Sequence, residues 1–138
     1  MPLPRVLVVD DESSVRLMLT RLLQLAGYDA VSAMDGAAGY EMLQSDTTIQ
    51  FVVLDLMMPR MDGWKFRQLQ QQDARLRAVP TVILTGAPLP RIVDADLRAV
   101  DYLLKPVSLD RLLSVVRQYC GPVGDEADLL TVHSERGD

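Results

Sequence analysis

The chain has 138 residues, of which 49% are hydrophobic, enough for one domain with a single core and too many for wholesale disorder. A net charge of −5 argues against binding a nucleic-acid backbone, and no apolar run approaches the roughly 20 residues that span a bilayer. The single cysteine, Cys120, excludes an intramolecular disulfide and a cysteine-rich metal site. The first five residues carry no signal-peptide pattern, so cytoplasm is the expected compartment. The charge is uneven. Residues 123–138 hold five acids and one Arg, a net of −4, which leaves −1 for residues 1–122. The expected division is therefore a domain over 1–122 and an acidic, flexible tail over 123–138. The only histidine, His133, lies in that tail, which argues against Ser-His-Asp or Cys-His catalysis.

Arg5 to Val9 (RVLVV) reads as a first buried strand ending in Asp10-Asp11. Ser13 or Ser14 can cap a helix there, with Val15, Leu19, Leu22, Leu23 and Ala26 at helical spacing and Gly27 as its left-handed stop. Tyr28 to Ala33 is a second strand, Gly36 to Gln44 a short helix, and Ser45 to Gln50 a polar turn. Phe51 to Leu54 (FVVL) reads as a strand buried on both faces, ending in Asp55. A Pro-containing loop follows and closes on Asp62-Gly63, and Trp64 to Arg77 reads as a mostly solvated helix. Val79 to Leu84 is a fourth strand, followed by Thr85-Gly86-Ala87. Pro90 can open a short helix through Ala99, Asp101 to Leu104 is a fifth strand, and Lys105-Pro106 follows. Ser108 caps a last helix carrying Leu109, Leu112, Leu113, Val116 and Tyr119, which Gly121-Pro122 ends. Strand and helix alternate five times with short connections, which predicts an α/β fold with a parallel sheet between helices and right-handed crossovers.

Four strands end in polar residues that such a sheet brings to one edge: Asp10 and Asp11, Asp55, Thr85 and Lys105. Three neighbouring carboxylates repel unless a cation compensates. Oxygen ligands without His or Cys suit a hard ion, and Mg²⁺ fits best, with Mn²⁺ able to substitute. A carboxylate beside Mg²⁺ can attack a phosphoryl group and form an aspartyl phosphate, with the Lys105 ammonium and Thr85 hydroxyl near its oxygens. Taken singly each residue has a plainer use. Asp10-Asp11 can begin a helix, Thr85 can end a strand, Lys105 can be solvated, Tyr102 can be packing, and Met57, Met58 and Met61 can fill a loop. Their joint occurrence at successive strand ends favours chemistry.

The runs VLVVDDE at 6–12, VVLDLMMPRMDGW at 52–64, VILTGA at 82–87 and DYLLKP at 101–106 resemble the receiver domain of two-component response regulators, over residues 5–120. The resemblance implies a flavodoxin-like (βα)5 fold with strand order 2-1-3-4-5. It implies that Asp55 accepts a phosphoryl group from a phosphohistidine on a sensor histidine kinase or phosphotransfer protein. It implies Mg²⁺ held by Asp11, Asp55 and the backbone carbonyl of Met57, with Asp10 acting through water. Thr85 and Tyr102 would be the switch pair that alters a protein-binding or dimer face around the fourth helix, fifth strand and last helix. Two departures stand out: the segment from Thr85 to Lys105 is slightly short, and Arg98 stands where the family commonly has Gly, so the helix before it is expected to be short, shifted or mobile. The expected protein is a stand-alone phosphoacceptor that acts on a downstream protein, since only 16 residues follow Pro122. The rivals are a receiver-like scaffold that binds without phosphorylation and an Mg²⁺-dependent aspartyl phosphatase, although the latter usually carries a second acid where this chain has Met57.

Overall fold

The computed structural model describes residues 3–58, 61–87 and 97–121. Five strands form one parallel sheet: β1 (Arg5–Val9), β2 (Asp29–Ala33), β3 (Ile49–Asp55), β4 (Thr81–Thr85) and β5 (Asp101–Leu104). Their order is β2-β1-β3-β4-β5, as expected. The register pairs Val9 with Leu54, Asp55 with Leu84 and Thr85 with Leu104, so the carboxyl ends of β1, β3, β4 and β5 lie along one edge. The helices are α1 (Ser13–Leu25), α2 (Gly36–Ser45), α3 (Gly63–Gln72) and α4 (Leu109–Cys120).

Apolar runs make the central strands because each strand side chain must face one of two buried layers. Val6, Val8, Phe51, Val53, Val82, Leu84 and Leu103 join the layer under α1 and α4. Leu7, Val9, Val52, Leu54 and Ile83 face the other way, into the layer with Leu43 of α2 and Phe66 of α3. Gly27 takes φ 97° at the end of α1 and Gly121 takes φ 76° at the end of α4, the left-handed stops that glycine permits. Ser108 caps α4 through the Arg111 amide.

Several expected boundaries move. Neither Ser13 nor Ser14 caps α1. Asp10 turns the chain by accepting the Glu12 amide, so Glu12 takes the cap position and Ser13 is already helical. Ser45 belongs to α2, and β3 begins at Ile49, where the alternation of buried Ile49 and exposed Gln50 hid a strand inside a polar stretch. The helix expected to reach Arg77 stops at Gln72. The Asp73 carboxylate accepts the amides of Arg75 and Leu76 and starts a separate 3-10 turn, Leu76–Ala78, that buries Leu76. β2 starts one residue later than expected, at Asp29, and β4 runs Thr81–Thr85, with Val79 still capping that turn. Most of the helix expected between Pro90 and Ala99 lies outside the described residues. Leu97 is helical, and Arg98, at φ 50°, has left the helix, so it ends before Ala99. The tail over 123–138 also lies outside the described residues. No helix among the described residues is long and apolar enough to cross a membrane.

Candidate functional site: a carboxylate cluster at the sheet edge

Asp10 and Asp55 terminate or follow two adjacent central strands and are 0% and 3% exposed, while Asp11 is exposed. Carboxylate oxygens of Asp10, Asp11 and Asp55 lie within 4.8 Å of one another. Three elements set this spacing. β1 delivers Asp10, whose Oδ1 is tied down by the Glu12 amide at 2.9 Å. β3 delivers Asp55, whose Oδ1 accepts the Met57 amide at 3.3 Å. The loop after β3 folds back at once: the Gly63 amide donates to the Leu56 carbonyl at 2.9 Å, and Asp62 caps α3 through the Lys65 amide. A Cβ on Gly63 would sit 2.7 Å from the Leu56 Cα and 2.8 Å from the Asp55 carbonyl oxygen. The Asp-Gly of the motif is thus a capping acid followed by the one residue small enough to let α3 start against the strand end.

Lys105 enters from β5. Its backbone amide donates to the Thr85 carbonyl at 2.8 Å, which locks the ends of β4 and β5 together. Its Nζ lies 3.2 Å from Asp10 Oδ2, 3.3 Å from Asp55 Oδ2 and 3.3 Å from Glu12 Oε1. Burial pushes the ammonium towards its neutral form, but the Asp10 and Asp55 carboxylates outweigh this and hold its pKa above the ordinary value. Asp55 is pushed up to about 6, first by burial and then by repulsion from Asp10, against the pull of Lys105. One ammonium therefore does not satisfy the cluster. Asp10 Oδ2, though near Nζ, is buried and makes no hydrogen bond. A set of three hard oxygen donors, two of them buried, with one ammonium beside them fits a divalent cation of the Mg²⁺ type.

Thr85 is buried at the end of β4, and its hydroxyl donates to the Ala87 carbonyl at 2.8 Å. Tyr102 is half-buried on β5, beside Ile83 in the sheet and against the layer that contains Leu97. Met57 is 69% exposed beside the cluster. The structure thus brings together Asp10, Asp11, Asp55 and Lys105, and sets Tyr102 one strand position before the residues that lead to Lys105. Sequence reasoning gave no role to Glu12, which shares the Lys105 ammonium. Its place as the third acid of the run was the available signal.

The chain matches the family model described as the response regulator receiver domain over residues 6–117. It is 35% identical over 120 residues to the DNA-binding dual master transcriptional regulator RpaA of Synechocystis sp., covering 83% of this chain and 48% of that protein. It is 41% identical over 116 residues to the response regulator MprA of Mycobacterium ulcerans, covering 82% of this chain and 48% of that protein. The chain thus spans about half the length of these curated relatives. Among solved structures it resembles the chemotaxis protein CheY4 of Vibrio cholerae, with a TM-score of 0.77 and 28% identity over 85% of this chain and 98% of that one. A response regulator receiver protein from Pseudomonas putida matches with a TM-score of 0.77 and 30% identity over 86% of this chain and 98% of that one. With the sheet order, the acidic edge and the lysine all in common with the resemblance read from the sequence, this chain belongs to the response regulator receiver domain family.

Proposed function

We propose that Asp55 is a phosphoacceptor in a two-component relay. The observation that carries the reading is the group of three carboxylates within 4.8 Å, faced by Lys105 Nζ and containing the buried Asp10 Oδ2, which has that ammonium at 3.2 Å and no further partner. Asp11, Asp55 and the Met57 carbonyl would hold Mg²⁺, with Asp10 behind them. When bound, the ion would neutralise charge on the phosphoryl oxygens. An Asp55 carboxylate oxygen attacks the phosphorus of a phosphohistidine. The P–N bond breaks, its electron pair stays on the imidazole nitrogen, and the product is a mixed carboxylic-phosphoric anhydride. Lys105 sits between Asp10 and Asp55, so its ammonium can follow the charge as it moves from carboxylate to phosphate. Thr85 would then exchange its bond to the Ala87 carbonyl for one to a phosphate oxygen, and Tyr102 would move with it. The change would alter a surface read by a downstream protein.

The test is phosphoryl incorporation from acetyl phosphate with Mg²⁺, followed by intact mass. One added phosphate is expected in the wild type, none in Asp55→Asn, and none after EDTA. Uptake by Asp55→Asn equal to wild type would reject the assignment.

A further inference from the structure

The phosphoryl site leaves unexplained a buried polar cluster on α3. Arg67 and Gln70 are 5% and 0% exposed on a helix that the sequence marked as solvated. Arg67 reaches across to the chain that leads into β5. Its Nε donates to the Leu97 carbonyl at 2.9 Å and its Nη2 to the Arg98 carbonyl at 2.9 Å. Nη1 donates to Gln70 Oε1 at 2.7 Å and lies 3.4 Å from Thr81 Oγ1. Gln70 Nε2 in turn donates to the carbonyls of Leu76 and Val79 and to Thr81 Oγ1. Gln71 Nε2 gives the Leu97 carbonyl a second donor at 2.8 Å.

All these partners are neutral, and among the described residues no carboxylate pairs with the guanidinium. A buried cation held this way is costly, so its bonds must secure something else. What they secure is two successive carbonyls at the end of a helix, where acceptors lack intrahelical partners. One of them belongs to Arg98, the only non-glycine among the described residues with positive φ. That conformation is strained for a residue with a Cβ and persists only where its surroundings hold it.

The location matters. The Val100 amide donates to the Thr81 carbonyl at 2.9 Å, which ties the entry of β5 to the start of β4. Leu97–Ala99 is the turn that immediately precedes that anchor, and Arg67 grips it through the Leu97 and Arg98 carbonyls. Tyr102 packs at the edge of the same apolar layer as Leu97. We infer that Arg67 is a positioning residue for the switch: it latches the turn before β5 to α3 and so favours the resting placement of Tyr102 over the phosphorylated one. This rests on Asp55 being the phosphoacceptor. Whatever stabilises one state of a two-state element weakens binding of the ligand that prefers the other.

The experiment is equilibrium binding of beryllofluoride with Mg²⁺, a phosphoryl mimic, to wild type, Arg67→Met, Arg67→Lys, Arg98→Gly and the Arg67→Met/Arg98→Gly pair, with thermal melts alongside. Arg67→Met should bind the mimic three- to tenfold more tightly while melting lower. Arg98→Gly alone should stay within twofold of wild type. The double variant should return towards wild-type affinity, because glycine takes the left-handed turn without a latch. If Arg67→Met does not fold, Arg67→Lys decides, since a lysine cannot fork onto two carbonyls; a two- to threefold gain is expected. Unchanged affinity in the folded variant, with only a lower melt, overturns the inference and leaves Arg67 a purely structural clamp. No binding to wild type at all is a different failure, that of the phosphoacceptor reading, and it takes the latch with it.

Discussion

At the scale of single residues, the acidic edge owes its character to position more than to composition. Asp55 is an ordinary carboxylate pushed up to about 6 because β3 buries it beside Asp10. A rise from 3.8 to about 6 makes the ionised apo state of Asp55 cost on the order of 2–3 kcal/mol at neutral pH. Asp55→Asn should therefore raise apo stability by about 1–3 kcal/mol in urea at pH 7, even as it removes the proposed acceptor; a less stable variant would mean that the attraction of Lys105 outweighs the burial. The neighbours of the site also bear on phosphate lifetime. Met57, two residues after Asp55, and Ala87, two after Thr85, are both exposed, and neither offers a polar side chain to orient an attacking water. The aspartyl phosphate should last minutes or longer in purified protein, read by intact mass after the donor is removed. Substituting Glu or Asn at Met57 should shorten it several-fold.

Elements explain why these residues meet. β1, β3 and β4 are buried on both faces, and parallel pairing puts all their carboxyl ends on one edge. α3 must start hard against that edge, which is why Gly63 follows Asp62. Gly63→Ala has no room for its Cβ and should cost about 1–3 kcal/mol in a urea melt, with Mg²⁺ affinity reduced as the Asp55–Met57 backbone shifts. Stability within about 0.5 kcal/mol of wild type would show that the strand end yields easily. α3 is also where reading from pattern failed. Arg67 and Gln70 look like solvent-facing residues because hydrophobic periodicity counts polar side chains as exposed. They are buried because their acceptors, the carbonyls of Leu76, Val79, Leu97 and Arg98, come from other parts of the chain.

For the whole molecule, two acids set opposing pH trends. Asp55 binds its proton more tightly folded than unfolded, so the stability it contributes is present at low pH and is lost as pH rises from about 3.8 through 6. Asp46 is held at about 2 by the Thr48 hydroxyl and Arg5, so its contribution is present above the ordinary carboxylate range and is lost as pH falls towards 2. Without metal, the denaturation midpoint should peak near pH 4–5 and decline towards 7. Saturating Mg²⁺ should flatten that decline, and Asp55→Asn should abolish it. A decline of equal size in Asp55→Asn would place its cause elsewhere.

Sequence alone determined the parallel sheet and the gathering of Asp10, Asp11, Asp55 and Lys105, because buried parallel strands are written as local apolar runs and the residue after each run lands on a known edge; the strand order was legible only through the family resemblance that the motifs carry. Only the tertiary structure decided the rest. The end of α3 at Gln72 depends on Asp73 turning back onto its own chain, a competition that periodicity does not register. Glu12 meets Lys105 across 93 residues of sequence, and Arg67 meets Arg98 across 31. Such contacts exist only once the sheet has brought distant segments within hydrogen-bond reach, and a buried polar side chain is explained only when its partners are known.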